Sequence, residues 1–70
     1  MTKISIQTDF IKLDSFLKFS GAASDGGDAK SMIADGLVKV NGEVCMMRGK
    51  KLREGDVVSV DGAEYEVGRD

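Results

Sequence analysis

The hydrophobic pattern changes its period at Gly36, and this change most limits what the chain can fold into. Before it, three apolar residues recur at the spacing of one helix face: Ala29, Met32 and Ile33. After it, Val38 and Val40 alternate with Lys39, as the two faces of a strand do. Glycine is a frequent residue at the point where a helix stops. The sequence therefore predicts a helix that ends at Gly36 and a strand that follows directly.

Another helix and a short first strand are indicated by the same kinds of pattern. Three apolar residues share one helix face near the start of the chain: Leu13, Phe16 and Leu17. Gly21 can end this helix, which we expect over about residues 13–20. Ser24 or Asp25 can cap the later helix, because either side chain accepts hydrogen bonds from free backbone N–H groups. Ile4-Ser5-Ile6 alternates and predicts a brief strand.

Two hairpin turns are predicted, at Asn41-Gly42 and at Asp61-Gly62. Both dipeptides tolerate the positive φ angles that a type I′ turn needs. Pairing around the second turn places five residues on one face of a half-buried ribbon: Val58, Val60, Ala63, Tyr65 and Val67. The return strand of the first turn is expected at residues 43–45. The predicted fold class is therefore α+β, with two short helices packed on a small antiparallel sheet in a single domain, residues 1–70.

Charge is unevenly distributed along the chain, although the net charge is only −2. Residues 1–36 carry a balance of −1, residues 37–53 a balance of +4 and residues 54–70 a balance of −5. Such a distribution concentrates a positive field on one segment and repels polyanions from the C-terminal hairpin. We therefore expect an anionic partner to bind at the middle segment.

Two groups of basic residues are candidates for binding a polyanion. The basic run 48–53 contains Arg48, whose planar guanidinium suits phosphate, and Lys50 and Lys51, which act as point charges. Such a run also occurs as a solvated loop that only keeps a protein soluble, and that alternative stays open. The second group consists of lysines near the apolar stripes: Lys12, Lys18, Lys30 and Lys39. Side-by-side packing of the helices on the first hairpin would let these lysines line a groove with the basic run.

Composition disfavours several kinds of site. The chain has no histidine and a single cysteine, Cys45, so neither an internal disulfide nor an activated thiol nucleophile is expected. The aspartates lack the spacing of a calcium site, and no metal or other cofactor is expected. No apolar run is long enough for a membrane span and no signal peptide is recognisable, so we expect a cytoplasmic protein.

The remaining large apolar side chains are interpreted as parts of the core. Phe10, Phe16 and Phe19 are expected inside it, and Met46 and Met47 at its edge. With so few aromatic residues left for the surface, stacking of single-stranded bases is poorly supported.

Four segments, in this order, carry a resemblance to a known family: Leu13-Asp14-Ser15-Phe16-Leu17-Lys18, Gly27-Asp28-Ala29-Lys30-Ser31-Met32-Ile33, Gly36-Leu37-Val38-Lys39-Val40-Asn41-Gly42-Glu43 and Gly55-Asp56-Val57-Val58. Together they resemble the S-four RNA-binding domain, also called the alpha-L motif, over about residues 11–60. Two further segments are similar to motifs of its stand-alone bacterial YaaA/YbcJ type: Gly26-Gly27-Asp28-Ala29-Lys30 and Arg48-Gly49-Lys50-Lys51-Leu52.

The resemblance implies two helices packed against a small, strongly bent antiparallel sheet, with RNA held by the helix pair and the adjoining loop. Carried over by position, six residues are the implied RNA contacts: Lys18, Lys30, Lys39, Arg48, Lys50 and Lys51. Many family members begin the second helix with Ser-Arg, where this chain has Asp25-Gly26. The added aspartate and the missing arginine favour a specific structured RNA or a ribosomal surface over generic binding.

The leading hypothesis is a non-catalytic protein that binds structured or ribosomal RNA, or an assembling ribosomal particle, and no membrane. The alternative is a small protein-interaction module that uses the acidic C-terminal hairpin and has no nucleic-acid ligand. An enzyme is the weakest option, because only scattered carboxylates and lysines could act as acid–base groups. Neither the particular RNA nor the oligomeric state follows from the sequence.

Overall fold

Nine short elements make up the fold, and the computed structural model describes all residues from 1 to 70. Two elements are helices: α1 (Leu13–Phe19) and α2 (Gly26–Ala34). Seven are strands: β1 (Thr2–Ile6), β2 (Ile11–Lys12), β3 (Val38–Val40), β4 (Glu43–Val44), β5 (Lys51–Leu52), β6 (Val57–Val60) and β7 (Ala63–Arg69). Neither helix has the length and apolar character needed to cross a membrane.

The strands form a five-stranded sheet and a separate two-stranded ribbon. The strand order in the sheet is β1-β7-β6-β3-β4, and the ribbon consists of β2 and β5. β1 lies parallel to β7, whereas all other strand pairs are antiparallel. The predicted α+β class is confirmed, but the sheet is mixed instead of wholly antiparallel. An alternating segment predicts a strand without giving the direction of its partner, which explains the difference.

Both predicted hairpin turns are confirmed. The φ angles are 52° and 87° at Asn41-Gly42, and 53° and 81° at Asp61-Gly62. Positive values at both residues are what a type I′ turn requires. β6 and β7 pair in the predicted register, with Val58 opposite Tyr65. The turn residues therefore determine which side chains meet across each hairpin.

The helices end at the residues predicted to mark their ends. The last residue of α1 is followed by Ser20 as its C-cap, and Gly21 then has a left-handed φ of 85°. At the start of α2, the Asp25 carboxylate accepts a 2.8 Å hydrogen bond from the backbone N–H of Asp28. Gly36, with a φ of 74°, follows the end of α2. The predicted helix ends are thus confirmed.

The core lies between the two helices and one face of the five-stranded sheet. Thirteen buried apolar residues form it: Ile6, Leu13, Phe16, Leu17, Ala23, Ala29, Ile33, Val38, Val40, Leu52, Val58, Val60 and Val67. Both predicted helix stripes are among them, except that Met32 is half-buried. The Tyr65 ring packs edge-on against Phe16, with ring centroids 6.4 Å apart. Leu52 joins the ribbon to the same core, so the fold has one hydrophobic centre.

Three side chains that were expected in or beside the core are exposed instead. Phe19 is 60% exposed, Met46 61% and Met47 66%. Phe10 is only partly buried. The expectation was wrong because Phe19 ends its helix, while the two methionines lie between strands, where no period assigns a face.

A hydrogen-bond network joins the first hairpin to the start of β6. The Asn41 Oδ1 accepts the N–H of Val57 at 2.9 Å, and its Nδ2 donates to an Asp56 oxygen at 3.1 Å. The other Asp56 oxygen accepts the backbone N–H of Arg53 at 2.8 Å. Asn41 and Asp56 both belong to the segments that carry the family resemblance, and their role in this network is structural.

Candidate nucleic-acid interface

The basic loop, residues 48–50, is bound by its main chain to the start of α1. The N–H of Leu13 donates to the Lys50 carbonyl at 2.9 Å, and the N–H of Asp14 donates to the Arg48 carbonyl at 3.1 Å. The first N–H groups of a helix lack acceptors within the helix, and Lys12 at the N-cap supplies no side-chain bond. The basic loop therefore provides the missing acceptors, and this holds the exposed Arg48 and Lys50 beside α1.

Lys18 and Lys30 lie on the two helices, each directly after a buried residue, Leu17 and Ala29. Both lysines are exposed. The Lys18 Nζ lies 3.9 Å from the position that a Cβ would take at Gly26. The Lys18 ammonium thus reaches the start of α2.

Lys39 lies on the face of the sheet that points away from the helices. Its neighbours Val38 and Val40 are buried in the core, and alternation along β3 places Lys39 on the opposite face. There it stands next to Ser59 of β6. The structure therefore does not bring Lys39 into one groove with the helix lysines. Its role as an RNA contact stays a prediction.

Lys51 belongs to the ribbon, where it pairs with Lys12 across β2 and β5. Its Nζ lies 4.8 Å from the centroid of the Phe10 ring, and the Arg53 guanidinium carbon lies 5.7 Å from the same centroid. Sequence reasoning assigned Phe10 to the core and gave Arg53 no role. Both segments have an apolar residue, Ile11 or Leu52, between two others. This alternation is the signal that would have placed Phe10 on the same outward face as Lys51 and Arg53.

All candidate cations lack an ion-pair partner. The one ion pair in the protein joins Arg69 to Asp9 at 3.0 Å. The six predicted RNA contacts are exposed and outside that pair: Lys18, Lys30, Lys39, Arg48, Lys50 and Lys51. A cation without a carboxylate partner keeps its full field toward a polyanion.

The acidic residues at the start of α2 are occupied by hydrogen bonds of the fold. Besides the Asp25 cap, the Asp28 carboxylate accepts the Ser24 N–H at 2.9 Å and the Ser24 hydroxyl at 3.3 Å. The aspartate that replaces the serine of many family members is therefore the cap of α2.

No group of three or more His, Cys, Asp or Glu side chains is placed to hold a metal ion.

A helix pair on a small sheet, with a basic loop bonded to the first helix, is the arrangement of a small RNA-binding domain. The chain belongs to the S4 domain family, whose model matches residues 4–68. This finding confirms the S-four resemblance read from the sequence.

Three known proteins are similar to the chain. The probable ribosome maturation protein RlbA of Bacillus subtilis (strain 168) is 44% identical over 59 residues, which cover 84% of the chain and 83% of RlbA. The solution structure of YbcJ from E. coli, described as revealing an alpha-L motif involved in RNA-binding, has a TM-score of 0.74 and 33% identity. That match covers 97% of this chain and 87% of YbcJ.

The crystal structure of the 30S ribosomal protein S4e from Thermoplasma acidophilum matches with a TM-score of 0.66 and 23% identity. The match covers 86% of this chain and 32% of that protein. At this identity the likeness concerns the fold alone.

Proposed function

We propose that this chain is a non-catalytic RNA-binding protein that recognises structured or ribosomal RNA. The observation that carries the proposal is the basic loop, whose carbonyls accept the first N–H groups of α1. These bonds hold two unpaired cations, Arg48 and Lys50, at the same helix that carries Lys18. Loop and helices together offer a preformed positive surface, so little order has to be gained when RNA binds.

Binding proceeds through phosphate contacts and the shape of helical RNA. The Arg48 guanidinium can donate two parallel hydrogen bonds to one phosphate, while Lys18, Lys30 and Lys50 act as point charges. Lys51, in the ribbon, adds to this set, whereas Lys39, on the opposite face of the sheet, stays a separate predicted contact. The chain offers no surface of several exposed aromatic rings on which splayed bases would stack, so the backbone of a folded RNA is the better ligand.

The process we infer is the assembly or maturation of the ribosome in the cytoplasm. RlbA bears the name of a probable ribosome maturation protein and is 44% identical to this chain. The acidic balance of residues 54–70 supports a directed interaction, because it repels RNA from the C-terminal hairpin. A folded ribosomal RNA segment fits a domain whose predicted contacts are concentrated on the helices and the basic loop.

The double variant Arg48→Gln/Lys50→Gln tests this function. We expect weaker binding to a stem-loop RNA, because two phosphate contacts are lost. The slope of log affinity against log salt concentration should fall by about one unit for each lost contact. Fluorescence anisotropy titrations at several salt concentrations measure both quantities.

The matched control is Thr2→Glu/Lys3→Gln, which lowers the net charge equally but at two exposed residues of β1. We expect nearly wild-type binding from it. Equal weakening by both double variants would mean that net charge alone acts, and would contradict the assigned surface. A wild-type protein that binds no structured RNA would contradict the function itself.

A protein-interaction module without a nucleic-acid ligand is the second candidate. The observation that favours it is the exposed apolar segment beside the edge strand β4, where Val44 is 53%, Met46 61% and Met47 66% exposed. Exposed apolar clusters often mark protein contacts. Affinity capture from cells separates the two functions: partner proteins retained after nuclease treatment, with no RNA before it, would favour the module.

A further inference from the structure

The outer face of the ribbon collects three cations and one aromatic ring. In the antiparallel register Ile11 lies opposite Leu52, and Lys12 lies opposite Lys51. One residue further along, the same register places Phe10 opposite Arg53. Leu52 is fully buried, and side chains alternate between the two faces of a strand pair. Four side chains therefore share the outer face: Phe10, Lys12, Lys51 and Arg53.

The Phe10 ring attracts two of these cations. The Lys51 Nζ lies 4.8 Å from the ring centroid, and the Arg53 guanidinium carbon lies 5.7 Å from it. Both distances are within the range of a cation–π interaction. Phe10 is half-buried, so the ring is anchored while the charged groups stay at the surface. The ring therefore restricts where the two cations can lie.

No carboxylate forms an ion pair with the cations on this face. Lys12 and Lys51 are like charges placed directly opposite each other, which destabilises a strand pair. The Asp9 carboxylate, on the residue before Phe10, is paired with Arg69. The Arg53 side chain donates only to the backbone carbonyl of Asp9, at 3.5 Å. An anion bound between the charged groups of Lys12 and Lys51 would relieve the repulsion between them.

The ribbon is continuous with the basic loop. Lys50 directly precedes β5, and its carbonyl accepts the N–H of Leu13 at the point where β2 passes into α1. The cations of the ribbon and of the loop are thus joined by one stretch of backbone.

We propose that the outer face of the ribbon is a phosphodiester-binding subsite for RNA. In this subsite Lys12, Lys51 and Arg53 contact the phosphates, and Phe10 is a positioning residue for Lys51 and Arg53. The proposal rests on the proposed function, because it takes RNA as the ligand. It adds Lys12, Arg53 and Phe10 to the residues that determine how strongly RNA is held.

An aromatic ring suits this positioning role better than a carboxylate would. A carboxylate would cancel the charge of the cation, and an incoming phosphate would have to displace it. The ring carries a quadrupole and no net charge, so it orients the cation and leaves the positive charge available. Phe10 thus organises the subsite without competing with the ligand.

The charge variant for the subsite is Lys12→Gln/Arg53→Gln, in which both altered side chains are exposed. We expect the slope of log affinity against log salt to fall by about one unit for each lost phosphate contact. The control Thr2→Glu/Lys3→Gln removes the same net charge from β1 and should leave the slope near that of the wild type.

The positioning role of Phe10 is tested by Phe10→Leu, which keeps an apolar side chain and the net charge. We expect a loss of RNA affinity of about two- to fivefold, because Lys51 and Arg53 are no longer held in place before RNA binds and must be ordered on binding. The salt slope should stay near wild type, because no charge is removed. Phe10→Tyr should restore the affinity. The NMR signals of the Lys51 ε-methylene should lose their ring-current shift in the leucine variant and regain it in the tyrosine variant.

The outcomes separate this subsite from the proposed function. If Arg48→Gln/Lys50→Gln weakens RNA binding while the ribbon variant behaves like its control, the subsite is overturned and the function stands. If wild-type protein fails to bind the stem-loop RNA, both are overturned. Poly-glutamate is the comparison polyanion without phosphodiesters. Equal perturbation of Lys12 and Lys51 by poly-glutamate and RNA would overturn the assignment of the ligand.

Discussion

At the scale of single residues, polar side chains divide into those that hold the fold and those left free for a partner. Asn41 and Asp56 belong to the first kind, since each makes two hydrogen bonds that close the loop before β6. The six predicted RNA contacts belong to the second kind, since they form no ion pairs. Membership in a family segment therefore does not by itself make a residue an RNA contact.

Asn41→Ala tests the structural role at this scale. The variant leaves the Val57 N–H without its acceptor and places alanine, which lacks the polar side chain that favours asparagine in left-handed backbone, at a φ of 52°. We expect the free energy of unfolding to fall by about 1–3 kcal/mol. Urea denaturation followed by circular dichroism measures the change.

The matched control is Asp61→Ala in the other hairpin turn. Asp61 has a φ of 53°, and its side chain takes part in no bond like those of Asn41. It therefore reports the cost of the backbone angle alone. Equal losses in the two variants would contradict the importance of the Asn41 side chain.

At the scale of elements, the two helices begin with different solutions to the same problem. α1 receives acceptors from the main chain of the basic loop, whereas α2 is capped by its own sequence through Asp25. The first solution couples the helix to a proposed binding segment. The Asp25 cap makes α2 independent of the basic loop, so this cap can be altered without changing the loop.

Asp25→Ala should remove the cap of α2 and lower the free energy of unfolding by about 1 kcal/mol. The Asp28 N–H would lose the carboxylate acceptor that now lies 2.8 Å away. Thermal and urea unfolding measure the loss. Asp35→Ala, at the C-terminal end of α2, is the control and should cost little, because a negative charge there opposes the helix dipole. A cost for Asp35→Ala as large as that for Asp25→Ala would speak against capping.

At the scale of the whole molecule, the first and last strands pair at one side of the sheet, where β1 is the edge strand. β1 and β7 pair in parallel from Thr2 opposite Tyr65 to Ile6 opposite Arg69. The Arg69–Asp9 ion pair adds a contact next to the paired strands β1 and β7. The first and last strands thus lie side by side, and because they are parallel, the two chain termini lie at opposite ends of the pair. The basic loop and the helices are carried by the middle of the sequence.

Gly68→Ala tests how closely the two strands pack. A Cβ at Gly68 would lie 2.8 Å from the Lys3 Cε and 3.1 Å from the Ser5 Oγ. We expect a loss of about 1 kcal/mol in the free energy of unfolding, since the far end of the Lys3 side chain can move but the short Ser5 side chain stays close to the β1 backbone. Gly49→Ala is the control because nothing lies within 4 Å of its added Cβ. A denaturant midpoint for Gly68→Ala no lower than that of Gly49→Ala would contradict the tight packing.

Much of the candidate site could be predicted because it rests on local signals. The cluster Arg48, Lys50 and Lys51 is evident in the sequence, and the helix lysines follow from the apolar stripes. The position of Lys39 relative to the helices could not be predicted from local sequence signals. It depends on which face of β3 the helices cover, and that is a property of packing.

By itself the sequence determined the helices, the two turns and the pairing of β6 with β7. These elements depend on periodicity, caps and positive φ angles, which act over a few residues. Tertiary structure alone decided that β1 pairs in parallel with β7 and that Phe19, Met46 and Met47 are exposed. It also decided the contacts of Phe10 with Lys51 and Arg53. The physical reason is that these contacts join residues far apart in the chain, and their free energy comes from burial and charge brought together only on folding.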